Sequence, residues 1–394
     1  MQKRILISGA GPALALCLRG SGIATTIVER AKTLRQGGQA VDFRGPVHRE
    51  VLERLNLWEA ICAERTKPNE LVLLRRDGSP AATLPGVMMS GDVEILRGDL
   101  SRLLYERTRD ETEYRFDDHV TALEDRGDVV IASFASGDTK PYDYVVGADG
   151  LHSSTRGLVF GPDDEVLRHH GYRIASFATE NLLGTTAGAV MYTVPGRAVC
   201  LSALDRERGR ALLVYAGGPY GSERRDLDAQ RSAIREKYRD VGWEMRPVID
   251  ALDRARDLYV DAIASVHISR YCRGRVVVLG DAAWGGTLGG QGTPLAIVGA
   301  WVLAGELMRS ADPAVAFAGF ESAMRPYATR CQAGAKRAGS FFAPKTPLGV
   351  ALRNTMYGFL TSKHMLGIFE KLVKGAASDF ILPEYDAELS TAYS

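Results

Sequence analysis

"ILISGAGPALALCLRGSGIATTIVER", residues 5–30, runs from an apolar strand through a glycine turn and a short helix into a second strand that ends on an acid. Residues 4–9 have the length and composition of a strand buried on both faces. The spacing predicts a helix from Pro12 to Arg19, bounded by Gly20 and Gly22, and a strand from Ala24 to Glu29. This is the βαβ opening of a nucleotide-binding fold. A dinucleotide fingerprint places Gly-x-Gly-x-x-Gly between strand and helix. Here only Gly9-Ala10-Gly11 stands there, followed by Pro12.

The rest of the chain narrows the possibilities. With 394 residues, two closely joined domains are expected. The 49 basic and 48 acidic side chains nearly cancel, so no global field favours nucleic acid. Five scattered cysteines show neither metal nor redox-pair spacing. No window of about 20 apolar residues could span a bilayer, and the first strand lacks the pattern of a signal peptide. A cytoplasmic protein, monomeric or weakly dimeric, is the expectation.

Residues 46–62 read as an amphipathic helix pair with Val51, Leu52, Leu55 and Leu57 on one face. Residues 94–108 read as a helix, and 143–156 as a buried strand ending in a Gly/Asp turn. Between 171 and 217, four short strands at regular spacing predict an inserted antiparallel sheet. "RVVVLGDAA" (275–283) returns to a buried strand and tight turn, followed by a glycine-rich loop and a long helix. The tail, 313–376, reads as helices. "RHHG" (168–171) reads as a surface turn, His364 as a helix-surface residue and "RERGR" (206–210) as a solvated hairpin tip. Trp284, Phe341, Phe342, Tyr357 and Phe359 fit core packing better than ligand stacking.

Four fragments stand in a telling order: the βαβ unit ending Glu29-Arg30, the helix carrying Arg97, "GADG" at 147–150 and "GDAA" at 280–283. In that order the chain resembles the single-component FAD-dependent aromatic hydroxylases related to para-hydroxybenzoate hydroxylase. "GGQAVDFRGPVHREVLERLNL" (37–57) and "GDAAW…GGQGTPLA" (280–296) are similar to the branch containing tetracycline-inactivating and polyketide-tailoring oxygenases. The resemblance implies an α/β fold: a Rossmann-like FAD-binding domain, an inserted mostly antiparallel substrate sheet and C-terminal helices. The implied divisions are 1–70, 95–165 and 268–330 for FAD binding, 71–94 and 166–267 for substrate, and 331–394 for the helical tail. It further implies NADPH- and O2-dependent hydroxylation of a large hydrophobic polyketide or polycyclic aromatic, with no nucleic-acid or membrane partner.

Candidate cofactor residues follow from the same resemblance. Glu29, with Arg30 beside it, would meet the adenosine ribose, and Arg97 the ribityl and pyrophosphate. Asp281 would accept from ribityl hydroxyls. Gly9, Gly11 and the Asp149-Gly150 turn would border the pyrophosphate, and Gly290 and Gly292 the flavin. Each also has a structural reading: a strand-end acid for Glu29, a surface ion pair for Arg97, a local cap for Asp281. No catalytic residue and no metal ligand is singled out.

Two loops depart from the family pattern. Between Ala10 and Gly11 three residues are missing, close to one helical turn, and those residues carry the amides that cradle a pyrophosphate. The segment "GDAAWGGTLGGQG" is about one residue short and has no proline before Gly290. The losses could amount to two or three hydrogen bonds at roughly 1.5–3 kcal/mol each. An alternative function is therefore a redox-silent protein of the same fold that templates a non-redox cyclisation of a polyketide; a catalytically dead binding protein is a third.

Overall fold

β1 (Arg4–Gly9) buries Ile5, Leu6 and Ile7 completely, at about 1.5–3 kcal/mol for each side chain. A strand apolar on both faces belongs inside a parallel sheet. β1 pairs in parallel with β2 (Ala24–Glu29) on one side and β11 (Tyr144–Ala148) on the other. β7 (Thr112–Phe116) extends the sheet beyond β2, and β18 (Val276–Val278) beyond β11, with β17 (Cys272–Arg273) antiparallel at the edge. The structure is a computed structural model. It describes every residue except 1, 10, 35–37, 67–69, 87–90, 221–225, 289–291, 363–364, 366–379 and 386–394.

One face of this six-stranded sheet carries helices: α1 (Pro12–Cys17), α2 (Pro46–Arg54), α3 (Trp58–Ala63), α4 (Arg97–Thr108), α10 (Gly292–Arg309) and α11 (Pro313–Phe342). The helix α10 is buried along almost its whole length and forms the axis of that core. Leu6, Val28, Val145 and Val276 point to the opposite face. There they meet a three-stranded antiparallel sheet of β8 (Val120–Asp125), β9 (Val130–Phe134) and β10 (Thr139–Tyr142). Helices, parallel sheet and small sheet make three layers. β3 (Ala40–Phe43) and β6 (Val93–Leu96) form a separate two-stranded ladder.

The second large sheet has seven strands in the order β16 (Tyr259–Val266), β12 (Leu167–Glu180), β15 (Arg208–Ala216), β14 (Arg197–Ala203), β13 (Gly188–Val194), β4 (Leu71–Leu74) and β5 (Pro80–Leu84). It is antiparallel apart from the β4–β13 pair. Side chains alternate between its faces. One face packs on α7 (Leu227–Tyr238) and α8 (Met245–Arg254), while the other meets the end of α11 and α12 (Pro347–Leu360). Three short helices, α5 (Ser154–Phe160), α6 (Asp163–Val166) and α9 (Asp281–Trp284), punctuate the connections. The α/β class with an inserted mostly antiparallel sheet is the one the sequence led us to expect.

Several local readings need correction. Residues 94–96 belong to strand β6, and the helix begins only at Arg97. His169 and His170 lie inside β12, at a register shift against β16, and not in a surface turn. Of 206–210, Arg206 and Glu207 lie in the exposed tip of the β14–β15 hairpin as read, whereas Arg210 stands inside β15 and reaches Asp257 and Ser176. Trp284 is core, packed with Tyr271 and Phe320, whereas Phe359 is exposed on α12. His364 and Gly290 lie outside the described residues, as does most of the last predicted helical segment.

Candidate active site

The turn after β1 is closed on itself. Gly9 has φ +92° and its carbonyl accepts from Gly11 N–H at 2.8 Å. A Cβ at Gly9 would stand 2.5 Å from Asp149 Cα, so the β1 and β11 turns touch backbone to backbone. A Cβ at Gly11 would collide with Ile7. Pro12 opens α1 without an amide to offer, and Leu14 N–H returns to Gly11 O. The six-residue α1 therefore starts where the sequence placed it, on a rebuilt and tightened turn.

Around that turn sit the other candidates. Glu29 ends β2 and spends Oε1 on Ala31 N–H at 2.9 Å. Arg30 is exposed beside it. Arg97 is the first residue of α4, is exposed, and has no ion pair or side-chain hydrogen bond among the described residues. Gln39, whose carbonyl receives Arg97 N–H, holds a buried Nε2 with no partner among the described residues.

Asp149 is engaged differently. Its carboxylate accepts from the Ser153 and Ser154 hydroxyls and from Thr155 N–H and Oγ1, and so caps α5. It shapes the turn and has little left for a ligand. Arg156, with 0 % exposure, reaches Leu151 O at 2.8 Å, Ala282 O at 3.0 Å and the Asp163 carboxylate. One buried guanidinium thus fastens the "GADG" turn to the "GDAA" turn, a role the sequence reading missed.

Asp281 does not cap α9, whose N-cap is Gly280 at φ +65°. Its carboxylate has no hydrogen bond among the described residues and its side chain is solvent-accessible, yet desolvation by the surrounding protein raises its pKa. A group both accessible and crowded lines a cleft. Arg97 acts in the opposite sense on the same carboxyl, and Asp261 adds to the rise. A Cβ on Gly292, at the start of α10, would lie 3.2 Å from Asp281 Oδ1. Arg97, Asp281 and Gly292 are therefore brought together, with the loop at Gly285–Leu288 clipped to β16 through Val266 N–H to Gly285 O and Thr287 N–H to Ala264 O.

Beyond them lies an apolar wall. Cys200 and Leu212 of the seven-stranded sheet, Leu288, and the aromatics Phe341, Phe342 and Tyr357 are only partly buried against the core between that sheet and the end of α11 and α12. Arg353 secures this wall. Its buried guanidinium bonds Phe341 O, Phe342 O, Asn354 Oδ1 and Thr193 Oγ1, and burial lowers its pKa to about 10.

The FAD binding domain family matches residues 2–315. The chain belongs to the FAD-dependent hydroxylase family. Among its relatives is a flavin-dependent monooxygenase of an unknown prokaryotic organism, 32 % identical over 396 residues, covering 97 % of this chain and 99 % of the relative. An uncharacterized protein of Mycobacterium tuberculosis is 35 % identical over 342 residues, or 84 % and 92 % of the two chains. The crystal structure of tetracycline destructase Tet(55) superposes with a TM-score of 0.82 at 31 % identity, covering 98 % of this chain and 99 % of that one.

The residues of this flavoprotein-family chain fit FAD at two points. Arg97 and Asp281, with no side-chain hydrogen bond among the described residues, offer a donor and an acceptor set in one cleft, and among the same residues the Gln39 amide lacks the partner a buried donor needs. Glu29 Oε2 has no hydrogen bond among the described residues. Among the described residues no helix is long and apolar enough to cross a membrane, and no His/Cys/Asp/Glu group could hold a metal.

Proposed function

We propose that the protein is an FAD-dependent monooxygenase that hydroxylates a large apolar fused-ring substrate of polyketide type at the expense of NADPH and O2. The observation that carries this reading is the pair of charges Arg97 and Asp281, neither with a side-chain hydrogen bond among the described residues, with Asp281 beside Gly292 at the start of α10. The bound flavin would supply hydride acceptance and oxygen activation. The chain's own part is binding, orientation and water exclusion. Glu29 accepts from the ribose hydroxyls, Arg97 donates to the pyrophosphate side and Asp281 accepts from the ribityl chain. The first turn of α10 directs its amides toward the flavin edge, where negative charge collects. Cys200, Leu212, Phe341, Phe342 and Tyr357 offer an apolar surface to the substrate and keep water from it. The relatives named flavin-dependent monooxygenase and the likeness to a tetracycline destructase support this assignment.

A second reading, templated cyclisation without redox chemistry, draws on the closed β1–α1 turn. Gly11 N–H is spent on Gly9 O, Leu14 N–H on Gly11 O, and Pro12 has none to give. One experiment separates the two. Freshly purified protein is assayed for its flavin-to-protein ratio, then, after incubation with FAD, for NADPH oxidation on addition of a polycyclic phenol. Yellow protein with substrate-stimulated oxidation supports the monooxygenase. Protein that stays colourless after incubation with FAD rejects it in favour of the templating reading.

A further inference from the structure

Tyr259, Asp261 and Ile263 alternate onto one face of β16, the face that meets the end of α11 and α12. Tyr259 Oη donates to Asp261 Oδ2 at 3.0 Å. Asp261 Oδ1 accepts from Ala262 N–H at 2.8 Å and lies 2.9 Å from His152 Nε2. The other imidazole nitrogen, Nδ1, lies 2.8 Å from Asp163 Oδ2, and the second Asp163 oxygen pairs with Arg156. His152 thus spans two carboxylates, one beside the six-stranded sheet and one on the edge strand of the seven-stranded sheet. Asp261 in the middle is only 5 % exposed.

Tyr259 itself is 43 % exposed. Nevertheless its surroundings push the phenol far above its ordinary range, chiefly by desolvation and then through Asp261 and Asp281, with Arg97 opposing. As with Asp281, accessibility combined with crowding marks a side chain that lines the cleft. Hydrogen bonds tie this strand to the same cleft: Thr287, in the loop that follows Asp281, donates its N–H to Ala264 O at 3.0 Å and its hydroxyl to Ala262 O at 3.2 Å. Its role is not covered by the assignments above.

The direction of the hydrogen bond decides what Tyr259 can do. A carboxylate only accepts, so the phenolic proton is committed to Asp261. Toward the cleft Tyr259 keeps lone pairs alone, and what meets it must donate.

We propose that Tyr259 is a cofactor-positioning residue whose oxygen accepts a hydrogen bond from an O–H or N–H donor of FAD, its polarity fixed by Asp261 and, through it, by His152. This rests on the FAD reading given above. FAD is preferred to substrate as the donor because β16 is the strand bonded to the loop that follows Asp281, while Leu212 and Cys200 of the apolar wall lie on the inner strands. His152 acts through Asp261 and touches no ligand.

The test is FAD titration of the apoprotein, followed by flavin fluorescence, for wild type, Tyr259→Phe, His152→Gln and the double variant. Tyr259→Phe keeps the ring and removes the acceptor; its FAD dissociation constant is expected to rise about 3- to 10-fold, the worth of one hydrogen bond. His152→Gln is expected to raise it less, and the double variant to match Tyr259→Phe alone, because both act on one contact. Unchanged FAD affinity in Tyr259→Phe, with wild type binding well, overturns this inference and leaves the monooxygenase reading standing. Losses that multiply in the double variant overturn the coupling of His152 to Tyr259. A wild type that takes up no FAD overturns both readings together.

Discussion

Asp281 pairs an open surface with a protein-rich surrounding, and this predicts how FAD retention depends on pH. Its pKa is raised, so as pH falls toward that raised value the carboxyl takes a proton earlier than an ordinary aspartate and stops accepting two hydrogen bonds. FAD affinity is expected to fall in mild acid. The Asp281→Asn variant is expected to lose roughly tenfold in affinity near neutrality, about 1.4 kcal/mol, and to show no further acid weakening. Titrations across the pH range check both. For the apoprotein the sign is opposite: a raised carboxyl pKa disfavours the ionised form in the fold, so Asp281→Asn should raise the neutral-pH melting temperature and lose that advantage in acid. His48 supplies a second pH effect. Buried between Arg44 N–H and Tyr327 Oη, it has a pKa lowered to about 4, mainly by desolvation. Stability from the neutral imidazole is full above its ordinary value near 6.5 and is lost as pH falls toward 4, at most about 3 kcal/mol. Urea unfolding at neutral pH and near pH 4.5 should show that slope, and His48→Leu should flatten it.

At the scale of the element, the β1–α1 turn is the part most exposed to single substitutions. Gly9→Ala must place a Cβ 2.5 Å from the Asp149 backbone at a φ of +92°, so a loss of about 2 kcal/mol or more is expected, read as a lower melting temperature. The turn also shows what a sequence can and cannot disclose. The strands were legible because Ile5–Ile7, Tyr144–Val146 and Val276–Val278 are apolar runs that only a two-sided core accommodates. The short turn was legible too, since three absent residues can be counted. Its closure through Gly11 N–H to Gly9 O could not be read, because it depends on where β11 stops. Arg97 and Asp281 were picked out by the resemblance, but that neither finds a side-chain hydrogen-bond partner among the described residues is a fact of packing. The chain Tyr259–Asp261–His152–Asp163 escaped notice because its central link joins His152 to Asp261, 109 positions apart, and follows no motif spacing. The histidines at 169 and 170 were misread because a polar pair within a strand looks like a turn unless the bulge against β16 is known.

For the whole molecule, both large sheets draw strands from distant parts of the chain. β1 finds its neighbours at residues 24–29 and 144–148, and β4, from residues 71–74, waits for β13 at 188–194. Contacts of such long range make for slow folding. The segment 380–385 adds a last requirement. Phe380 stacks on Tyr327 with ring centroids 4.6 Å apart, while Tyr385 is fully buried, filling the notch at Gly305 and donating to Glu306 at 2.6 Å. Tyr385→Ala is expected to cost about 3–5 kcal/mol, measurable as a lowered thermal midpoint. Translation delivers this tyrosine after every strand of both large sheets and after α10 and α11, so the groove between α10 and α11 stays open on the nascent chain, and apolar surface is available to chaperones or to a neighbouring copy until residue 385 has been made. Proteolytic removal of 380–385 thus acts on the interior of the nucleotide-side core, at the far end of the fold in sequence from the strand laid down first.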